Sequence, residues 1–157
     1  MKHLLGKLLI LAIFATATSV FVKAQVAGQI DRTFGDNGLV KVQYGSNMTA
    51  GGLVIQPDRK IVVAGVLTQT GSNNPRFFIA RYNSNGSPDL TFGTNGVTVT
   101  ALGNLNSAFG SGLVRQPDGK LVAVGTVCCT AGDCDVVAAR YGTSGFLDTT
   151  FGNGGLS

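Results

Sequence analysis

Gln116-Pro117-Asp118-Gly119-Lys120-Leu121-Val122-Ala123-Val124-Gly125 is the stretch that decides the fold, because residues 56–65 carry it too, as Gln56-Pro57-Asp58-Arg59-Lys60-Ile61-Val62-Val63-Ala64-Gly65. Each copy places a Pro-Asp turn directly before a run of apolar, largely β-branched residues. That is turn chemistry followed by a strand. Within each run the apolar residues do not alternate with polar ones. A sheet with one wet face alternates, so Ile61–Ala64 and Leu121–Val124 predict sheets covered on both faces.

Working outward, the same duplication continues. Ala80-Arg81-Tyr82 returns as Ala139-Arg140-Tyr141. Thr33-Phe34-Gly35 returns as Thr91-Phe92-Gly93 and Thr150-Phe151-Gly152, at spacings of 58 and 59 residues. Asp31, Asp89 and Asp148 each stand two residues before that motif, and Gly38, Gly96 and Gly155 follow it. Several anchors in one fixed order identify a repeat of roughly sixty residues.

Each unit predicts four short strands. They are Gly38–Val42 and Gly96–Thr100, Gly52–Gln56 and Gly112–Gln116, Ile61–Leu67 and Leu121–Val127, and Phe77–Tyr82 and Val136–Tyr141. No connection is long enough to hold a crossover helix, so the strands pair antiparallel. Small sheets sandwiched between neighbours are blades. The expectation is an all-β chain of β-propeller-type repeats of about four antiparallel strands each. Two full units, approximately 34–91 and 92–150, are followed by a partial third at 151–157.

In this combination the residues resemble the bacterial delta-60 repeat family. The motifs that carry the resemblance are Gln116–Gly125, Ala139-Arg140-Tyr141 and Phe146-Leu147-Asp148-Thr149-Thr150-Phe151-Gly152, and the similarity covers almost all of residues 30–157. It implies a propeller-like, exported or surface-associated repeat protein, and it implies no defined activity. Two positions depart from the pattern. Arg59 stands where the second unit has Gly119, in a turn that favours positive φ, at a cost on the order of 1 kcal/mol. Pro88 stands where the second unit has Leu147.

Residues 1–24 read as a secretory signal peptide. Lys2 and Lys7 give the positive start, Leu8–Ala15 the short apolar core, and Val22-Lys23-Ala24 the small-residue cleavage site. Residues 25–157 form the repeat region. The formal charge of +4 includes Lys2, Lys7 and Lys23, so the repeat region carries only +1. The basic character therefore belongs to the removed segment, and nucleic acid is set aside as a partner. The apolar core is too short for a stable membrane span after cleavage.

The residue inventory limits chemistry. The one His, His3, lies in the signal peptide, and the chain has no Glu. Without imidazole, Ser–His and Cys–His nucleophile pairs are excluded, and acid–base work would rest on Asp alone. Three Cys and no His in the repeat region cannot fill a four-ligand zinc shell without carboxylates. No catalytic, cofactor or metal residue is assigned. Calcium at Asp36-Asn37-Gly38 and Asp58 is the weaker reading, because Asx before Gly is ordinary turn chemistry and Asp36 becomes Thr94 and Asn153 in later units.

The recurring residues are therefore read as structural: Asp31, Phe34, Gly35, Asp58, Lys60, Arg81, Tyr82, Asp89, Phe92, Gly93, Asp118, Lys120, Arg140, Tyr141, Asp148, Phe151 and Gly152. Arg81 and Arg140 sit in apolar strands and call for ion-pair partners, with Asp89 and Asp148 the candidates. Phe34, Phe92 and Phe151 read as aromatic plugs between blades. Cys128, Cys129 and Cys134 fall in a loop outside the repeat logic. In an oxidising compartment Cys134 is expected to pair with Cys128 or Cys129, leaving one thiol.

The functional expectation is an exported, non-enzymatic interaction or structural module, secreted or at the cell surface. Its expected partners are other blades or chains of the same kind, or a surface glycan or protein. A lectin-like carbohydrate-binding propeller is the alternative. Two units fall short of the 4–8 blades that close a propeller, so a fragment of a longer propeller or an assembly of chains is expected. Apolar faces such as Phe77-Phe78-Ile79 are expected to be open.

Overall fold

The computed structural model describes residues 27–68, 71, 74–103, 107–128 and 133–157. The signal-peptide assignment at 1–24 and Cys129 lie outside the described residues. Seven strands form: β1 (Met48–Ile55), β2 (Ile61–Thr68), β3 (Pro75–Tyr82), β4 (Val97–Ala101), β5 (Ser107–Arg115), β6 (Leu121–Cys128) and β7 (Cys134–Tyr141). They make a four-stranded sheet in the order β1-β2-β3-β4 and a three-stranded sheet in the order β5-β6-β7, all antiparallel. The chain is an all-β protein of β-propeller-type blades.

The Pro-Asp turns set the register. Arg59 donates its N–H to the Gln56 carbonyl and Gly119 donates to Gln116. Ile55 is thereby paired with Ile61, and Arg115 with Leu121. Arg59 adopts φ of 66° where Gly119 has 88°, so the first unit keeps the glycine geometry without the glycine. Both units also carry a bulge at the same place, between Ala50 and Gly52 and between Gly110 and Gly112. There the innermost strands of the two sheets approach so closely that a Cβ on Gly51 would overlap the Gly110 backbone.

The main core lies between the sheets. Val62, Ala64, Val66, Phe77 and Ile79 of the first sheet meet Leu113, Leu121, Ala123, Ala139 and Tyr141 of the second, with Phe92 among them. A smaller cluster of Leu67, Phe78, Ala80 and Tyr82 lies on the other face of the first sheet, packed by Val40, Tyr44 and Met48. The first sheet is thus covered on one face and in part on the other, and the second on one face. Burial follows: Val62–Leu67 is buried at five of its six positions, whereas Leu121–Val124 alternates buried and half-buried.

The expected two-sided cover of Leu121–Val124 is not found, because among the described residues no apolar cluster forms on the outer face of the second sheet. Two further expectations are corrected. Gly38–Val42 is not a strand; only an isolated bridge, Asp36 to Leu39, forms there. Its counterpart Val97–Ala101 is a strand because it pairs with β3 of the sheet that precedes it in the chain. The described residues place no such sheet before Gly38, so Gly38–Val42 has nothing to bond to. The stretch Phe77-Phe78-Ile79 is not an open face either; these residues are at most 4% exposed, because β3 is flanked by β2 and β4 and covered from both sides. Open apolar surface is found instead at Leu53, Ile55, Phe109, Val114 and Val136 on the sheets, and also at Leu90 and Phe146.

Candidate functional site

The recurring polar residues converge where one blade hands over to the next. β3 delivers Arg81, the turn after β1 delivers Lys60, and the connection from β3 to β4 delivers Asp89. Arg81 Nε donates to Asp89 Oδ2 at 2.7 Å and Lys60 Nζ to the same oxygen at 2.9 Å. The other oxygen, Oδ1, accepts from the Thr91 amide and hydroxyl at 3.1 and 2.7 Å. Asp89 is 4% exposed yet makes four hydrogen bonds, as a buried carboxylate must.

The second unit repeats this around Asp148, with Arg140 Nε and Lys120 Nζ each at 2.9 Å and the Thr150 amide and hydroxyl on Oδ1. Burial alone would raise the Asp89 pKa, but the bonds from Lys60, Thr91 and Arg81 outweigh it and hold the carboxyl well below its ordinary range. At Asp148 the Thr150 hydroxyl and then Lys120 dominate, with the same downward result. Asp31 is also lowered, by the hydroxyl and amide of Thr33. Lys60 and Lys120 recur in the sequence at a fixed spacing from the Pro-Asp turn, and the structure makes each the second cation on its carboxylate, a role the sequence reading does not assign.

The cluster also reaches across to the following blade. Arg81 Nη1 donates to the Thr143 carbonyl at 3.1 Å, and its guanidinium lies 4.4 Å over the Phe92 ring. Phe92 is fully buried, and its ring sits against Gly145, where a Cβ would come within 2.7 Å of it. The Gly93 amide donates to the Ser144 carbonyl at 2.8 Å. So Arg81, Phe92 and Gly93 grip the Thr143–Gly145 turn of the second sheet. A buried hydrogen bond, from the Tyr141 and Thr100 hydroxyls at 2.9 Å, closes the same junction.

The two flanking copies of the motif each make half of this junction. Gly35 donates to Asn85 at 2.8 Å, gripping the turn of the first sheet as Gly93 grips the second. Phe34 is half-buried and lines an apolar hollow of about 420 Å³ with Leu53, Ile61, Val63, Phe78 and Tyr82. At the other end Arg140 lies 4.7 Å over the Phe151 ring, which is half-buried, and Gly152 continues into a bridge from Leu156 to Ala139.

The remaining candidates have local roles. Asp58 and Asp118 accept from the Lys60 and Lys120 amides two residues on, and Asp36 accepts from the Asn37 side chain. These are turn bonds, and among the described residues no cluster of three metal-ligating side chains forms. Tyr82 shares a hydrogen bond with Tyr44 at 3.2 Å. Burial first, then Tyr44, raises the Tyr82 pKa; burial pushes Tyr141 up to about 12 against an opposing bond to Thr100. A disulfide joins Cys128 and Cys134, directly opposed residues of β6 and β7 with Cα atoms 4.1 Å apart.

A family model described as a domain of unknown function (DUF5122) beta-propeller matches residues 56–92 and 116–151. Each matched segment runs from the Gln of the Pro-Asp turn to the Phe of the Thr-Phe-Gly motif, Phe92 or Phe151. It therefore contains one complete Lys–Arg–Asp cluster. No curated protein and no solved structure matches the chain.

Proposed function

We propose that the chain is an exported, non-enzymatic interaction or structural module of the delta-60 kind, acting in the secreted fraction or at the cell surface. The observation that supports this is the state of its charged groups. The carboxylates of Asp89 and Asp148 are saturated by cations and hydroxyls of their own unit. A carboxyl held far below its ordinary pKa has no proton to give at neutral pH, and one whose oxygens are occupied is a poor base. Apolar surface is left uncovered on the sheets, Leu53, Ile55, Val114 and Val136 among it, and such surface is used for contact.

Other blades or chains of the same kind are the first class of partner, ahead of a surface protein or glycan. Nucleic acid does not fit a repeat region of charge +1. Two measurements test the reading. Mass spectrometry of the chain recovered outside the cytosol is expected to find Gln25 at its terminus. A panel of hydrolytic substrates is expected to stay blank, and turnover that Asp89→Asn or Asp148→Asn abolishes would replace the module with an enzyme. Specific retention on a glycan array would redirect the module reading to the lectin-like alternative.

A further inference from the structure

We infer that the open part of the first sheet's outer face, beside Val40 and Met48, and the uncovered face of the second sheet are the two sides of one contact, and that a second copy of this chain docks across them head to tail. The inference rests on the module reading above and names the partner. Its template is the junction inside the chain. There, Leu113, Leu121, Ala123 and Tyr141 of the second sheet are buried against the first. Their counterparts in the repeat are Leu53, Ile61, Val63 and Tyr82, which line the apolar hollow beside Phe34. That hollow is the socket side of the junction without its occupant.

The opposite side is present as well. Val54, Val62 and Phe77 of the first sheet face the internal junction. Their counterparts Val114, Val122 and Val136 lie on the uncovered face of the second sheet, with Val114 at 58% and Val136 at 77% exposed. One end of the molecule is a socket, the other the surface that fills it.

Backbone hydrogen bonds make the same point. The central motif makes two grips: Arg81 N–H donates to the Gly96 carbonyl, and Gly93 N–H to Ser144. The Thr150 copy makes only the first kind, Arg140 to Gly155, and the Thr33 copy only the second, Gly35 to Asn85. Both have the central motif's internal turn, with Gly38 donating to Phe34 and Gly155 to Phe151. They are complementary halves. In the docked pair the Thr33–Val42 segment of one copy displaces Gly155–Ser157 from β7 of the other, exchanging the Ala138–Ser157 and Arg140–Gly155 backbone bonds for its own, and Leu39 and Val42, now exposed, gain a strand to pair with.

The contact is heterologous, since different surfaces meet, so it closes into a ring or runs on as a filament. That gives a test no self-complementary patch would pass. Leu53 and Val136 are both largely exposed, so Leu53→Arg and Val136→Asp leave the fold of a single copy intact. Sedimentation equilibrium of the full chain is expected to show mass above one chain, and each variant alone is expected to be a monomer. An equimolar mixture is expected to return a species of two chains and no more, because one good socket and one good filling face remain. Three results would overturn the inference: a monomeric parent chain at high concentration, a variant that still assembles alone, or a mixture that stays monomeric. A monomer that still shows no turnover would leave the module reading standing.

Discussion

Replacing Asp89 by Asn measures what the junction between the blades is worth. Asn keeps the shape and keeps Oδ1, so the two bonds from Thr91 survive. The amide that replaces Oδ2 cannot accept, so Arg81 and Lys60 lose their partner together. The two losses are unequal. The Lys60 side chain is 29% exposed and can turn to water, whereas Arg81 is 11% exposed and is held over Phe92 with a second bond to Thr143. One charge-assisted bond to a buried cation is worth about 1.5–3 kcal/mol, and leaving the cation buried adds to it, so we expect a loss of about 3 kcal/mol. Asp148→Asn is the internal control. It removes the same contacts, but Arg140 and Lys120 are 20% and 34% exposed and the described contacts show no following turn for Arg140 to grip. Its effect should be clearly smaller. Urea unfolding of the two variants, read at a constant m-value, makes the comparison. Equal losses, or a loss under about 1 kcal/mol at Asp89, would show the cluster to be a solvated surface pair and refute the reasoning.

Both carboxylates also set a pH dependence. Their folded pKa values are depressed, so the stability they supply is complete above the unfolded value near 3.8 and fades as pH falls below it. Acid unfolding followed by circular dichroism should therefore begin below about pH 4, and Asp89→Asn should flatten that limb. Gly145→Ala is expected to destabilise strongly, since the added methyl meets the Phe92 ring and φ is 89°, while Gly154→Ala, at φ 65° with nothing nearby, should cost about 1 kcal/mol in thermal unfolding. Thiol titration of the denatured, unreduced chain is expected to find one thiol, that of Cys129; three would refute the Cys128–Cys134 bridge.

Periodic and local information was legible in the sequence. The duplicated Pro-Asp turn followed by an unbroken apolar run fixes strand identity, because that depends on residues within about ten positions, whereas cover on both faces does not, and the second sheet has it on one face only. Recurrence of Arg81 with Asp89, and of Arg140 with Asp148, names the charged residues of the site, since a cation in an apolar strand needs a carboxylate wherever the chain supplies one. The lysine as second cation was not legible, because the fold of its own blade brings it to the carboxylate; the Thr143 carbonyl and the Gly145 cradle for Phe92 were not either, because they are set by which turn of the next sheet arrives beside Arg81. The same cause governs the strand that did not form: Leu39-Val40-Lys41-Val42 is as apolar as Val97-Thr98-Val99-Thr100, but a strand exists only where another backbone offers its N–H and C=O groups. The repeated pattern of turn and apolar run determined the blades. Only the tertiary arrangement decided that each blade is completed by residues beyond its own repeat, and which apolar faces remain open.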